Sequence, residues 1–282
     1  MAHVFTVHLP SQHYRPIKIM KNLSLAFLFF FATTVTTLSC AQTPPPAKAF
    51  HYSTIDALLA GAYEGELTVD ELKLKGDFGI GTFNRVDGEM IVLDGEVFQF
   101  KADGSIVKAS GTQLTPFAVV TRFNADFRYD VSKETSMKEL EDMLDQRLDN
   151  KNLFYAIRVE GDFKQLTTRA IAPQDKPYKP LAEVTKTQTL FNYTSTKGVL
   201  VGFRSPGFAK GFNVPGYHWH YLSNDHKAGG HVLALSLSQG AIKVGAVSDI
   251  EIKLPSNDQF ATTNQTLDRS KELKAVEGLR KD

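Results

Sequence analysis

Between Met90 and Ala109 the chain is cut into short apolar runs by two Asp-Gly pairs, Asp94-Gly95 and Asp103-Gly104. Asp-Gly tolerates the positive φ angles of a two-residue hairpin turn, so the runs on either side of it are held antiparallel. Met90 to Leu93, Glu96 to Phe100 and Ile106 to Ala109 are therefore expected to be consecutive strands. Further strands are expected at residues 118–127 and 153–160. After the Pro-marked segment Pro173 to Pro180, short strands continue to Leu254, where Ile250, Ile252 and Leu254 alternate with Asp249, Glu251 and Lys253. A short helix is expected after Ser53, ending near Ala62. Thr68-Val69-Asp70-Glu71 has the spacing of a capping box and predicts a helix stopped by Gly76. The one long helix is expected from Ser132, its cap, to Asn150, with Met137, Leu140, Met143, Leu144 and Leu148 forming a core stripe. A last helix is expected over about Leu267 to Leu279. Together these elements predict an α+β fold in which β predominates, with two sheet-based lobes, mixed or barrel-like, and a few helices. The lobes are expected at residues 52–175, with the helical insertion, and 176–282.

Charge separates the two ends of the chain. Of 32 Lys and Arg, three (Arg15, Lys18 and Lys21) lie in residues 1–41, which hold none of the 31 acids, so the rest of the chain carries 29 bases against 31 acids. A near-neutral body lacks the basic stripe that binding to a nucleic-acid backbone requires. With 42% hydrophobic and 22% charged residues the chain is not intrinsically disordered. Lys18 and Lys21 precede the apolar run Leu25 to Ala32 and the small residues around Cys40, the three parts of a secretory signal, and Met20 is an alternative start to Met1. The apolar run is shorter than the ~20 residues of a bilayer-spanning helix, so residues 1–41 are expected to be a cleaved leader and the protein to be exported. Ser39-Cys40-Ala41 suits release before Gln42. Thr37-Leu38-Ser39-Cys40 resembles a loose bacterial lipobox, which would make Cys40 a lipid anchor and the protein a periplasmic or membrane-anchored lipoprotein. In either case the body has no cysteine, which excludes disulfide and thiolate chemistry there. Residues 42–51, with Pro44-Pro45-Pro46, are expected to be a linker.

Of the eight histidines, His3, His8 and His13 lie in the leader and His51 at the entrance to the body. The remaining four fall within fourteen residues: His218, His220, His226 and His231. On a strand, residues i and i+2 share a face about 7 Å apart, so His218 and His220 can turn onto one ion while Trp219 faces away. His231 follows Gly229-Gly230 and opens the next apolar alternation, so a hairpin-like return would bring it beside the pair. Three neutral imidazoles with a fourth position open are the ligand set of a catalytic zinc. His226 lies beside Asn224, Asp225 and Lys227 and reads as a solvated loop residue.

Several separate motifs occur in one order: Gly79-Ile80-Gly81-Thr82-Phe83, Asp87-Gly88-Glu89-Met90, Thr115-Pro116-Phe117, Tyr155-Ala156-Ile157-Arg158, Thr168-Arg169, Pro177-Tyr178, Gly202-Phe203, the stretch from Pro215 to His220, and Gly229-Gly230-His231-Val232. In these the chain resembles the alpha-acetolactate decarboxylase family from about residue 52 to its last helix. The resemblance implies a zinc enzyme, a homodimer of two-lobed subunits, that converts 2-acetolactate to acetoin and carbon dioxide. It implies His218, His220 and His231 as zinc ligands, Glu89, Arg169 and Glu277 as catalytic residues, and Thr82 as a substrate-binding residue. Glu277 aligns by a weak pattern, with Glu272 five residues away.

Such a site suits the reaction. Decarboxylating a 2-hydroxy-3-oxo acid leaves an electron pair that the neighbouring ketone takes up as an enediolate, whose charge a zinc ion would stabilise as a Lewis acid. Arg169 offers a planar fork of donors to the carboxylate, and Glu89 or Glu277 would deliver the proton. Without the resemblance, Arg169 reads as a surface residue on a strand, Glu89 as a solvated hairpin residue, and Glu277 as a helix residue paired with Lys271 or Lys274. Two other readings compete. A cupin-like barrel would share the Pro-Gly-x-His-x-His pattern followed by an acid, here Asp225 where a glutamate is usual. An exported metal- or ligand-binding lipoprotein would have the three histidines with no arginine and acid converging on them.

Overall fold

In the computed structural model, which describes residues 47–278, the expected Asp94-Gly95 turn has φ of 52° and 79° at its two residues, the positive pair that matches the twist of the flanking strands. The expected leader 1–41, with Cys40 and both starts, lies outside the described residues. The first strand is β1 (Ala47–Tyr52), followed by α1 (Ile55–Leu59), β2 (Leu67–Thr68) and α2 (Val69–Lys75). The hairpin region comprises β3 (Phe78–Thr82), β4 (Glu89–Leu93), β5 (Glu96–Phe100) and β6 (Ile106–Lys108). Then come β7 (Leu114–Thr115), β8 (Phe117–Thr121), β9 (Phe127–Val131), β10 (Thr135–Ser136) and α3 (Met137–Asp145). Three long strands and one shorter one dominate the rest: β11 (Phe154–Ala170), α4 (Leu181–Val184), β12 (Thr189–Ser205), β13 (Gly216–Ser223) and β14 (Gly229–Lys253), closed by α5 (Asp258–Thr262) and α6 (Ser270–Glu277).

The fold is α+β with β predominant. β11 pairs antiparallel with β12 on one edge and β14 on the other, and β13 bridges β12 and β14, so these four strands close into a barrel. β14 runs on past the barrel and pairs in parallel with β1. From β1 the sheet continues through β8, β3, β4, β5 and β6 as an open antiparallel half. The lobe boundary expected near residue 175 falls after β11, so the first barrel strand lies on its N-terminal side. Residues 47–51, expected to belong to the linker, instead form most of β1. That strand lies between β14 and β8 with Ala49 to Tyr52 buried, and burial on both faces erases the apolar-polar alternation that marks a strand in sequence.

The helices show how local chemistry sets boundaries. Thr54 caps α1, which ends at Leu59, short of the expected Ala62. The capping box of Thr68 and Glu71 is formed, and Gly76 ends α2. The long helix begins four residues later than expected from Ser132, because Ser136 and Glu139 make a reciprocal capping box while Thr135 and Ser136 still pair with β14. It ends at Asp145, short of the expected Asn150, so Leu148 lies beyond it; Leu140 and Leu144 are fully buried and pack with Leu148, Met137 and Met143 against Trp219, Tyr221 and the barrel strands. A second core joins both halves, from Ile55, Phe78 and Phe117 to Phe203 and Val276. It flanks the pocket described next. Among the described residues no helix is long and apolar enough to cross a membrane.

Candidate active site

β13 and β14 bring the histidines together by register. His218 and His220 share one face of β13, and His220 stands directly opposite His231 on β14. His231 in turn stands opposite Arg169 on β11, so Arg169, His231 and His220 form a row across three strands. Gly230 makes the entry to β14 possible. Its φ is 117°, and a Cβ there would meet the Arg169 carbonyl oxygen at 2.6 Å. From the open half, Thr82 on β3 faces Glu89 on β4. Glu89 follows Gly88, whose φ of 76° and close approach to the Phe100 carbonyl, 2.2 Å from a would-be Cβ, admit only glycine. α6 carries Glu277 over the histidines and anchors itself through Val276, which is buried.

The three histidines offer ring nitrogens within 4.8 Å of one another. His218 Nε2 and His231 Nδ1 are 3.1 Å apart, within hydrogen-bonding distance. The Nδ1–H of His220 donates to the Met90 carbonyl at 2.8 Å, which leaves its Nε2 lone pair as the free ligand atom. Burial pushes the His218 pKa down to about 3, with the Arg169 charge adding to the effect. Burial holds His220 and His231 well below the usual histidine range, reinforced for His220 chiefly by His218 and for His231 chiefly by Arg169. All three are neutral bases at pH 7, the form that binds a metal. His231 Nε2 is buried without a hydrogen-bond partner. On chemistry, burial and spacing, the residues fit a zinc ion.

Two carboxylates stand beside the imidazoles. Glu89 Oε1 accepts from Arg169 Nη1 at 2.6 Å, and its Oε2 is 3.6 Å from His220 Nε2. Glu277 Oε2 is 3.6 Å from His231 Nε2 and 3.8 Å from His218 Nε2. Burial raises Glu89 to about 7 against the lowering effect of Arg169, with Glu277 adding to the rise. Glu277 is also raised to about 7 by burial, again opposed by Arg169. The Thr82 hydroxyl donates to the Gly88 carbonyl at 2.7 Å and so braces the turn before Glu89.

Thr82, Glu89, Arg169, His218, His220, His231 and Glu277 all line one cavity. Its other walls are apolar: Ile55, Leu58, Val86, Phe117, Ile171 and Leu181. These wall residues escape sequence reading because a buried Leu or Ile looks the same whether it touches core or ligand. The Met90 carbonyl that orients His220 is a backbone atom and leaves no sequence signal. His226 is exposed in the β13–β14 turn, against Phe98. Asp225, the acid of the cupin-like reading, is exposed in the same turn and accepts from the Ser223 hydroxyl at 2.7 Å.

A buried cluster of three neutral histidines, faced by an arginine–carboxylate pair and a second carboxylate inside a β-rich fold, defines a class of proteins able to hold a metal ion and move protons beside it. Within that class, the chain belongs to the alpha-acetolactate decarboxylase family, whose profile matches residues 49–267. Similar proteins include the alpha-acetolactate decarboxylase of Methanosarcina mazei, 43% identical over 228 residues and covering 81% of this chain and 79% of that one. The alpha-acetolactate decarboxylase of Brevibacillus brevis is 35% identical over 274 residues, covering 94% and 96%. The crystal structure of alpha-acetolactate decarboxylase from Bacillus subtilis strain 168 superposes with a TM-score of 0.81 at 34% identity, covering 82% of this chain and all of that one. Glu277 lies beyond the matched segment, so its place in the site rests on the geometry of α6.

Proposed function

We propose that this carboxy-lyase converts 2-acetolactate to acetoin and carbon dioxide at the cavity around His218, His220 and His231, with a zinc ion as cofactor. One observation carries the reading: Arg169, Glu89 and Glu277 converge on the three imidazoles. A protein that only bound a metal or ligand would not need that convergence.

A zinc ion held by the triad supplies Lewis-acid stabilisation for the charge that decarboxylation leaves on the substrate oxygens. The chain's residues supply the rest. Arg169 keeps Nη1 on Glu89, while its buried Nε has no partner and is the donor to a substrate carboxylate. Loss of carbon dioxide turns the remainder into an enediolate, which needs a proton at carbon. Glu89 and Glu277, whose burial holds them above the usual carboxylate range, stand beside the imidazoles and are the groups placed to deliver it. The apolar wall excludes water and accepts the methyl groups of the substrate.

The test is to determine the metal in the purified protein and to follow carbon dioxide and acetoin release from 2-acetolactate before and after chelation. Activity should vanish with the metal and return with zinc; a zinc-loaded, inert protein would refute the reading. His220→Ala should lose both metal and activity, and metal retention in that variant would remove His220 from the ligand set.

The leader residues support export, with a soluble periplasmic form or one anchored through an acylated Cys40. Mass spectrometry of the N-terminal peptide separates the two forms, and recovery of the protein in the cytosol refutes export. The family resemblance supports a homodimer; sedimentation as a monomer would refute it.

A further inference from the structure

We infer that Glu141 on α3 is a positioning residue for the histidine centre, acting through Trp219 on the reverse face of β13. The inference rests on the reading of His218, His220 and His231 as a zinc site.

β13 is two-sided. His218 and His220 face the cavity, so Tyr217 and Trp219, which alternate with them, face α3. There the Nε1–H of Trp219 donates to Glu141 Oε1 at 3.0 Å. The Tyr217 hydroxyl donates to Asp145 Oδ1 at 2.9 Å, and the two rings stack with 6° between their planes and centroids 5.6 Å apart. Arg204, opposite Tyr217 on β12, lies 3.4 Å through its Nε from the same Asp145 oxygen. Beneath Trp219 is Gly202, its partner on β12, where a Cβ would come 2.1 Å from the indole ring.

Glu141 and Asp145 are four residues apart on one helix, a spacing at which like charges repel. Burial, with the neighbouring acids also contributing, raises the Glu141 pKa, while the bond from Trp219 lowers it. A carboxylate half-buried beside another acid makes sense if it holds something in place, and what it holds is the one residue between two metal ligands. Stacking on Tyr217, contact with Gly202 and the bond to Glu141 fix the twist and depth of β13 at Trp219. The imidazoles one residue to either side inherit that placement.

The test is zinc affinity, measured on the full chain by competition with a chromophoric zinc chelator. Glu141→Ala should weaken zinc binding by about 10–100-fold, the range for residues that orient metal ligands. Glu141→Gln keeps an acceptor for the indole N–H and should restore most of the affinity. Trp219→Phe keeps the aromatic ring, removes the N–H and should match Glu141→Ala; it decides the matter if that variant does not fold. Trp219 is the sole tryptophan, so its emission should respond to zinc in the wild type and respond less in Glu141→Ala. Equal zinc affinity in wild type, Glu141→Ala and Trp219→Phe would overturn the inference and leave the zinc site standing. A wild-type protein that takes up no zinc would overturn the site reading itself.

Discussion

The Glu89–Arg169 pair has side chains only 7% and 5% exposed, so neither can be removed without leaving the other's charge buried. Arg169→Met is expected to cost about 3–5 kcal/mol by urea denaturation. Combining it with Glu89→Leu should recover most of that stability with no recovery of carbon dioxide release, which separates the pair's structural effect from its chemistry. His51 gives a prediction of another kind. Its ring is buried between Phe154 and Phe212, both its nitrogens lack partners, and burial pushes its pKa from 6.5 down to about 4. Between those values the unfolded chain takes up a proton that the folded chain refuses. Stability is therefore fully present above pH 6.5 and falls as pH drops towards 4, by about 3 kcal/mol from this residue. The difference in unfolding free energy between wild type and His51→Leu should shift by that amount across the window; a pH-independent difference would mean that His51 is not buried neutral. At this scale the sequence was informative where residue type is diagnostic. The His218, His220 and His231 spacing is legible because two imidazoles on one strand face, with a third on the returning strand, have few other uses together. Read alone, Glu89 and Arg169 look like surface residues, and only the family resemblance marked them. The burial that raises Glu89 comes from strands distant in sequence.

Strand lengths were the least legible elements, and the barrel shows why. β11, β12 and β14 run 17, 17 and 25 residues, but glycine and polar residues interrupt each of them, so they read as several short strands. Gly161 stands opposite both Gly198 and Gly240. In sequence these glycines look like breaks; in the barrel they are places where neighbouring groups approach too closely for a side chain. A Cβ on Gly161 would meet the Gln239 carbonyl oxygen at 2.5 Å and Leu237 Cδ1 at 2.7 Å. Gly161→Ala is accordingly expected to destabilise the protein by about 1–3 kcal/mol through overpacking, measured as a shift in the denaturation midpoint. A neutral result would show that the strands can move apart there. The hairpins of β4, β5 and β6 were legible because their turn residues are local. Helix α5 was not, since its cap, Asn257, precedes a stretch with no buried residue to mark a face.

At the scale of the whole molecule, β14 is the member that unites barrel and open sheet, pairing with β11 and β13 at one end and with β1 at the other. The centre draws on both halves: His218, His220 and His231 come from barrel strands and Glu89 from the open half, while α6 brings Glu277. The sequence conveyed the β-rich character, but not that a single strand joins barrel and open sheet, because register between distant segments has no local signature. This architecture fixes what metal removal should do. The ladders along β14 are held by backbone hydrogen bonds and the cores on either side of the cavity by apolar contacts, neither of which a metal supplies, so a chelated protein should keep its far-ultraviolet circular dichroism at 25 °C. A zinc ion that binds the folded chain in preference to the unfolded one adds RT ln(1 + [Zn]/Kd), about 4 kcal/mol at a thousandfold excess over Kd. At roughly 2–4 °C per kcal/mol for a chain of this size, Tm should rise on the order of 10 °C when zinc is restored. In His220→Ala the zinc-dependent rise should disappear. Loss of the dichroism signal on chelation alone would instead mean that the metal holds the two halves together, and the fold would then depend on its cofactor.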